Sequence, residues 1–175
     1  LLALQSVDLE NNKTDFARFY TLQGLAYMGV NDLEAAKSSL QRAVNNGQKD
    51  PAIFIYLAKT YFGLKDYQRT IDAIANAGNL ANKDATLLSL KAESYWNLKD
   101  TDAAIYTLNR GQNAFPADYR FIKRKVFYFV ELGLYQEAVR LGRDYLNRSK
   151  AAAADYIALG NALRLSRKYQ EALNI

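Results

Sequence analysis

Small and large apolar residues alternate along the chain at a constant stride of 34 residues. Gly24, Ala58, Ala92 and Gly160 are small, with Val126 the exception, and three residues on stand Tyr27, Tyr61, Tyr95, Phe129 and Leu163, all large. A second series keeps the same stride: Ala36, Ala104, Ala138 and Ala172, with Thr70 substituting once. Leu40, Ile74 and Leu108 give way to Gly142, while Ala43, Ala77 and Gly111 give way to Tyr145. A small residue on one helix lets its neighbour approach, and a large side chain fills the space beside it. Aspartates punctuate the pattern in two interleaved sets, Asp32, Asp66, Asp100 and Asp50, Asp84, Asp118. A carboxylate before a helix accepts hydrogen bonds from its free N–H groups and suits the positive end of its dipole. Two helix starts per period are therefore predicted, with Pro51 at a first helical position that needs no N–H.

In chain order, Leu1 to Glu10 reads as an amphipathic helix through Leu1, Leu2, Leu4, Val7 and Leu9, the second helix of a preceding unit, and Asn11 to Thr14 as a polar connector. Asp15 is expected to cap a helix over about Phe16 to Gly29, whose partner runs from Asp32 to Asn46. The repeats then divide as 17–50, 51–84, 85–118, 119–152 and 153–175, the last truncated, so that 1–14 stands apart from a helical array over 15–175. In the second unit a helix opens at Asp50-Pro51, a turn falls at Gly63 to Asp66, a second helix starts at Tyr67, and Asn79 to Lys83 closes it. The alanines at 151–154 read as a helix start, in keeping with alanine's propensity. Leu1 is not a natural start and Ile175 falls inside a helix, so the sequence reads as a segment of a longer protein.

These residues resemble the tetratricopeptide repeat family, whose unit is a helix–turn–helix of the same length. Phe54, Leu57, Ala58, Tyr61, Tyr67, Ile74 and Ala77 carry the resemblance in one unit, and Tyr156, Leu159, Gly160, Tyr169 and Ala172 in another, over residues 17 to 175. It implies an all-α, right-handed superhelical solenoid of about five helix–turn–helix repeats plus a preceding helix. The departures are Gln23, Lys91 and Lys125 where the family prefers leucine, and Gly142 and Tyr145 in the fourth unit. The family proline near the end of a unit stands only at Pro116.

Composition narrows the chemistry. The 175 residues contain no cysteine and no histidine, which removes disulfides, thiolate metal sites, cysteine nucleophiles and the commonest general base. No phosphate-cradling glycine-rich lysine motif occurs, Asp100 reads as a cap, and Asp102 reads as a first-turn acid, so no enzyme activity and no cofactor are expected. No apolar run approaches the ~20 residues of a membrane span. Cytoplasm and bacterial periplasm both stay open. Residues 118–150 hold eight basic against four acidic residues, four of the chain's five net positive charges, a pattern that attracts an acidic partner or forms a solvated helix face.

The resemblance also implies where partners bind, on an inner groove built by the first helices. The positions carried over include Arg18 and Met28, Lys59 and Phe62, Glu93 and Trp96, Arg120, Lys123, Arg124 and Phe127, and Asn161 and Arg164. This lining of cations and aromatics would suit an extended or helical peptide with apolar anchors and acidic flanks. Phe62, Trp96 and Phe127 have an equally plain use as packing between adjacent helices. A family variant that clamps a C-terminal carboxylate is matched by Lys59, Arg120 and Arg124 but not by Ile55 or Leu90, and apolar Leu90 cannot hold a carboxylate. Ala52, Ile55, Ala154 and Ile157 cannot read base edges, so nucleic acid is not an expected partner.

The expected function is a scaffold that binds a partner peptide or helix in the groove. The alternative is a structural spacer or assembly arm in a larger protein, such as one of a bacterial envelope or secretion system, or beside an enzyme domain. That alternative predicts self-association through Leu2, Leu4, Leu173 and Ile175.

Overall fold

The computed structural model describes residues 13–148 and 153–175. The segment Leu1–Glu10, Asn11, Asn12, Ala151 and Ala152 lie outside the described residues. Among those described there are eleven helices and no strand: α1 (Lys13–Gly29), α2 (Leu33–Asn45), α3 (Ala52–Gly63), α4 (Tyr67–Asn76), α5 (Asn79–Asn82), α6 (Ala85–Asn97), α7 (Thr101–Ala114), α8 (Arg120–Glu131), α9 (Tyr135–Arg148), α10 (Ala153–Leu165) and α11 (Tyr169–Leu173). Two compact units make up the chain, the first ending at Asp100 and the second starting at Thr101.

The caps form as the aspartate spacing predicts. Asp32 accepts from the Ala35 N–H at 3.1 Å, Asp66 from Arg69 at 3.2 Å, and Asp84 from Thr86 at 2.7 Å. Asp50 takes the Ala52 N–H at 2.9 Å and Asp118 that of Arg120 at 3.1 Å. Asp15 differs. The first helix begins at Lys13, so Lys13 and Thr14 belong to it and Asp15 is a first-turn acid rather than a cap. Nothing in that stretch breaks a helix, and an acid anywhere in the first turn gains from the dipole.

Each hairpin turns by one backbone device. Asn31, Lys65, Lys99, Gly133 and Arg167 have φ of 60°, 61°, 67°, 74° and 62°, one full repeat apart. The following N–H bonds back to the carbonyls of Tyr27, Tyr61, Tyr95, Phe129 and Leu163 at 2.8–2.9 Å. This is the Schellman closure, in which a left-handed residue lets the chain satisfy the last helical carbonyls. Only Gly133 is the residue type that takes this conformation without strain.

In the first unit α1 packs on α2 and α3 on α4, with α1, α3 and α6 as successive neighbours. Leu40, Ala43, Ile53, Leu57, Tyr61, Ile74, Ala77 and Leu87 form one buried cluster there. A Cβ added at Gly24 would stand 2.6 Å from Leu40 Cγ, so only glycine admits that approach. Thr70 replaces alanine without leaving its hydroxyl unsatisfied, since Oγ1 donates to the Asp66 carbonyl at 2.8 Å. The second helix of this hairpin is shorter than expected. It stops at Asn76, Gly78 turns the chain at φ 58° and ψ −134°, and Asn79–Asn82 forms the one-turn helix α5, which buries Ala81 beside α6.

In the second unit α8 packs on α9, α9 on α10, and α7 on α8. Ile122, Val126, Ala138, Val139, Tyr145, Leu159, Ala162 and Leu163 form its main cluster. Val126, the large exception in the small series, is tolerated at 7% exposure. Two junctions in this unit exchange sizes. Wholly buried Phe121 lies so close over Gly111 that no Cβ fits between them. One repeat on, the same two positions hold Asp155 and Tyr145, and the Tyr145 hydroxyl donates to Asp155 Oδ2 at 2.8 Å. A large–small pair has become a small–large one, joined by a hydrogen bond. Gly142 then makes room for Leu159, whose Cδ1 would be 3.1 Å from an added Cβ.

Candidate functional site

The first helices carry the residues that the sequence assigns to binding. In the first unit, α1, α3 and α6 bring Arg18, Met28, Lys59, Phe62, Glu93 and Trp96 onto neighbouring helices. Arg18 and Lys59 are exposed, and their side chains take no partner among the described residues. Met28 packs against the buried cluster with Ile55, and Phe62 meets Tyr67 edge-on with ring centroids 5.9 Å apart. Glu93 and Trp96 are half-buried. Packing thus takes up much of the apolar lining here.

The second unit is arranged differently. Helices α8 and α10 adjoin and bring Arg120, Lys123, Arg124 and Phe127 beside Asn161 and Arg164. Phe127 on α8 is 50% exposed and Ile157 on α10 is 64% exposed. Asn161 and Arg164 are exposed, and Arg124 is half-buried. Arg120 turns back on its own cap, with Nη2 on Asp118 Oδ2 at 2.6 Å. That hydrogen bond holds the Asp118 carboxyl below the usual carboxylate range.

Lys123 is committed to the fold. Its ammonium lies 2.9 Å from Asp155 Oδ1 on α10 and 5.5 Å from the centre of the Tyr145 ring on α9. The hydrogen bond to Asp155 raises the lysine's pKa above its ordinary value, against the opposing effect of burial. Asp155 therefore ties three helices together, receiving Lys123 and Tyr145 on its two oxygens. The sequence had marked Tyr145 only as a departure. Comparing position 155 with Phe121, Leu87 and Ile53 would have exposed its partner, since an aspartate stands where the three preceding repeats have a buried apolar residue.

Lys125, at a family leucine position, is 6% exposed. Its ammonium donates to Asn109 Oδ1 at 3.0 Å and, at closer range, to Gln112 Oε1, both on α7. Burial first, and the charge of Arg140 second, push its pKa down. The other two departures are also absorbed: Gln23 accepts from Ser39 Oγ at 3.0 Å, and Lys91 lies over the Tyr95 ring at 5.9 Å.

No helix among the described residues is long and apolar enough to cross a membrane. Residues 17–46 match the tetratricopeptide repeat family. The chain has the fold of solved structures of that kind. One is a tetratricopeptide repeat protein from Parabacteroides merdae, 16% identical, with a TM-score of 0.78 over 90% of this chain and 63% of the other. The MamA protein is 14% identical, with a TM-score of 0.80 over 91% of this chain and 87% of MamA. A third likeness is to the APC/C hetero-tetramer Cut9-Hcn1, at 24% identity and a TM-score of 0.66 over 82% of this chain and 29% of that one. No curated protein matches the sequence. A helical-repeat, protein-interaction scaffold is the general role that the repeat match and the shared fold support.

Proposed function

We propose that the chain binds a segment of a partner protein along the face of its first helices, and that the segment carries apolar anchors with acidic residues beside them. The observation that carries this is the pair Phe127 and Ile157, exposed apolar side chains on adjoining helices α8 and α10. Large apolar groups in such positions gain most from being covered by a partner, and cations at the rim steer an acidic segment toward them. Arg164, on α10 in the same unit, supplies exposed positive charge without an internal partner among the described residues.

Peptides selected from a random display library on the immobilised chain test this reading, with affinities measured by fluorescence anisotropy. Phe127→Ala and Ile157→Ala should each weaken a selected peptide by about tenfold or more, as buried anchors do. Arg164→Glu should weaken acidic peptides and make binding less sensitive to salt. Lys123→Glu is a poorer probe, because it would break the tie to Asp155. Unchanged affinity in Phe127→Ala, Ile157→Ala and Arg164→Glu alike would refute the reading.

A second reading, self-association, rests on the exposed apolar surface of the last hairpin, where Leu173 is 80% exposed and Tyr169, Tyr156 and Ile175 are also open. Leu2 and Leu4, the other residues expected to take part, lie outside the described residues. Sedimentation velocity over a range of concentrations decides it: Leu173→Asp should shift an oligomer toward monomer.

A further inference from the structure

The turn that carries the chain from α2 to α3 in the first unit holds a reactive pair, Asn46–Gly47. Of the chain's asparagines only Asn46 is followed by glycine. The repeat does not require the pair, since the equivalent positions one and two repeats on are Leu80-Ala81 and Ala114-Phe115. Glycine has no side chain to shield its backbone nitrogen, so that nitrogen can reach the carboxamide of the asparagine before it. In the reaction the Gly47 nitrogen gives up its proton and bonds to Asn46 Cγ, the Cγ–Nδ2 bond breaks, and ammonia leaves with the proton. Water then opens the cyclic imide at one carbonyl or the other. One route ends in aspartate. The other ends in isoaspartate, whose main chain runs through Cβ and Cγ and is longer by a carbon.

The folded turn engages both reacting groups. The Gly47 N–H donates to the Val44 carbonyl at 2.9 Å, and Asn46 Nδ2 donates to the Arg42 carbonyl at 2.8 Å. With the Gln48 N–H on the Ala43 carbonyl at 3.0 Å and Gly47 at φ 94°, the main-chain bonds make a Schellman closure of α2. Asn46 itself sits at φ −90° and ψ 14°, continuing the curl of the helix. The Gln48 side chain anchors the turn further: its Oε1 accepts the Asp50 N–H at 3.2 Å, and its Nε2 donates to Thr21 Oγ1 on α1 at 3.3 Å. Ala43 and Ile53, on either side of the turn, belong to one buried cluster.

We propose that Asn46–Gly47 is a self-modification site gated by the fold: it deamidates only when the last turn of α2 opens, and the isoaspartate product keeps that turn from closing again. Opening releases the Gly47 nitrogen and the Asn46 carboxamide together, as local unfolding of a helix end does. The added main-chain carbon carries Gly47 and Gln48 out of register with the Val44 and Ala43 carbonyls, and the new carboxylate stands at the negative end of the α2 dipole. Ammonia is lost, so the change accumulates with the time the turn spends open, an irreversible drain on a locally unfolded state. Its effect falls on the junction of α2 and α3 and is independent of binding along the first helices.

The test incubates the intact chain in warm, mildly alkaline buffer, folded in one arm and unfolded in urea in the other. Aspartate and isoaspartate at position 46 are quantified by chromatography and mass spectrometry of proteolytic fragments. The unfolded chain should convert about tenfold faster or more, the factor set by the free energy of opening a helix end. Gln48→Ala, which removes the side-chain anchors to Thr21 and Asp50, should speed conversion of the folded chain about fivefold. The purified isoaspartate form should lose hydrogen-exchange protection at the Gln48 amide. Asn46→Asp, which adds the charge without the carbon, should keep that protection within about fivefold of the parent. The proposal is overturned if folded and unfolded chains convert alike, if neither converts, if Gln48→Ala converts no faster than the parent, or if the isoaspartate form keeps the parent's protection at Gln48. Equal loss of protection in Asn46→Asp would overturn the role given to the longer main chain.

Discussion

The exchange of sizes at positions 145 and 155 makes a double substitution more informative than either single one. In the first unit the corresponding positions are Ala77 and Leu87, both in the buried cluster. Tyr145→Ala with Asp155→Leu would recreate that pair at the junction of α9 and α10. Tyr145 is 6% exposed, and a buried ring of about 150 Å² at about 25 cal/mol per Å² is worth roughly 4 kcal/mol, so Tyr145→Ala alone should cost about that much. Asp155→Leu alone leaves the Tyr145 hydroxyl without its acceptor and crowds the ring. Those two effects come to about 3 kcal/mol together. Lys123, released from Asp155, is exposed enough to hydrate, so its loss adds little. In the double variant the leucine fills the space that the tyrosine vacates. The total should then fall short of the sum of the singles by about 2–3 kcal/mol, the range for residues in direct contact. Urea denaturation followed by far-ultraviolet circular dichroism measures all four proteins. Additivity within about 0.5 kcal/mol would show that 145 and 155 are not energetic partners and would refute the reasoning.

Gly111→Ala puts a methyl group into the space of the buried Phe121 ring and should cost about 2–3 kcal/mol, read as a lower urea midpoint with unchanged slope. Lys65→Gly relieves a left-handed residue at φ 61° and should raise stability by about 0.5–1 kcal/mol, since the strain removed exceeds glycine's entropy cost; a lower melting temperature would contradict this. Lys125→Leu removes a buried charge and should stabilise the fold by about 1–2 kcal/mol near neutral pH, with Asn109 and Gln112 left to water. Because the folded pKa of Lys125 is depressed, its burial penalty is full at low pH and fades as pH climbs from that depressed value to the ordinary lysine range of about 10.4. Lys123 has the opposite sign, its contribution being lost as pH rises through its raised folded pKa. The leucine variant should therefore lose stability more steeply than the parent in alkaline buffers, as melting temperatures across that range would show.

The hairpins were legible because their causes are local. Small–large spacing, aspartate caps and the turn at Gly63 to Asp66 are each written within a few residues, and the backbone follows them. Asp15 was misplaced because an acid in the first turn and an acid at the cap look alike in sequence. The early stop of α4 is a similar case: Gly78 was visible, but its unusual ψ depends on Ala81 finding a buried seat. Among the candidate binding residues, position within a repeat indicated which helix each would occupy but not what its side chain would hold. Lys123 and Arg120 look identical to Lys59 and Arg18 in one dimension, yet each of the first two is matched by an aspartate. Arg120 folds back on the aspartate two residues before it, whereas the partner of Lys123 lies a helix pair away, and only alignment of the repeats with one another brings it into view.

The five corners at 31, 65, 99, 133 and 167 keep one shape although they carry an amide, two lysines, a glycine and an arginine. Main-chain bonds draw the bend, and a side chain there enters only through the left-handed strain that glycine escapes. Surface charge can be raised or lowered at these points by single-codon changes, and a dye or cross-linker attached there would report on hairpins without entering them.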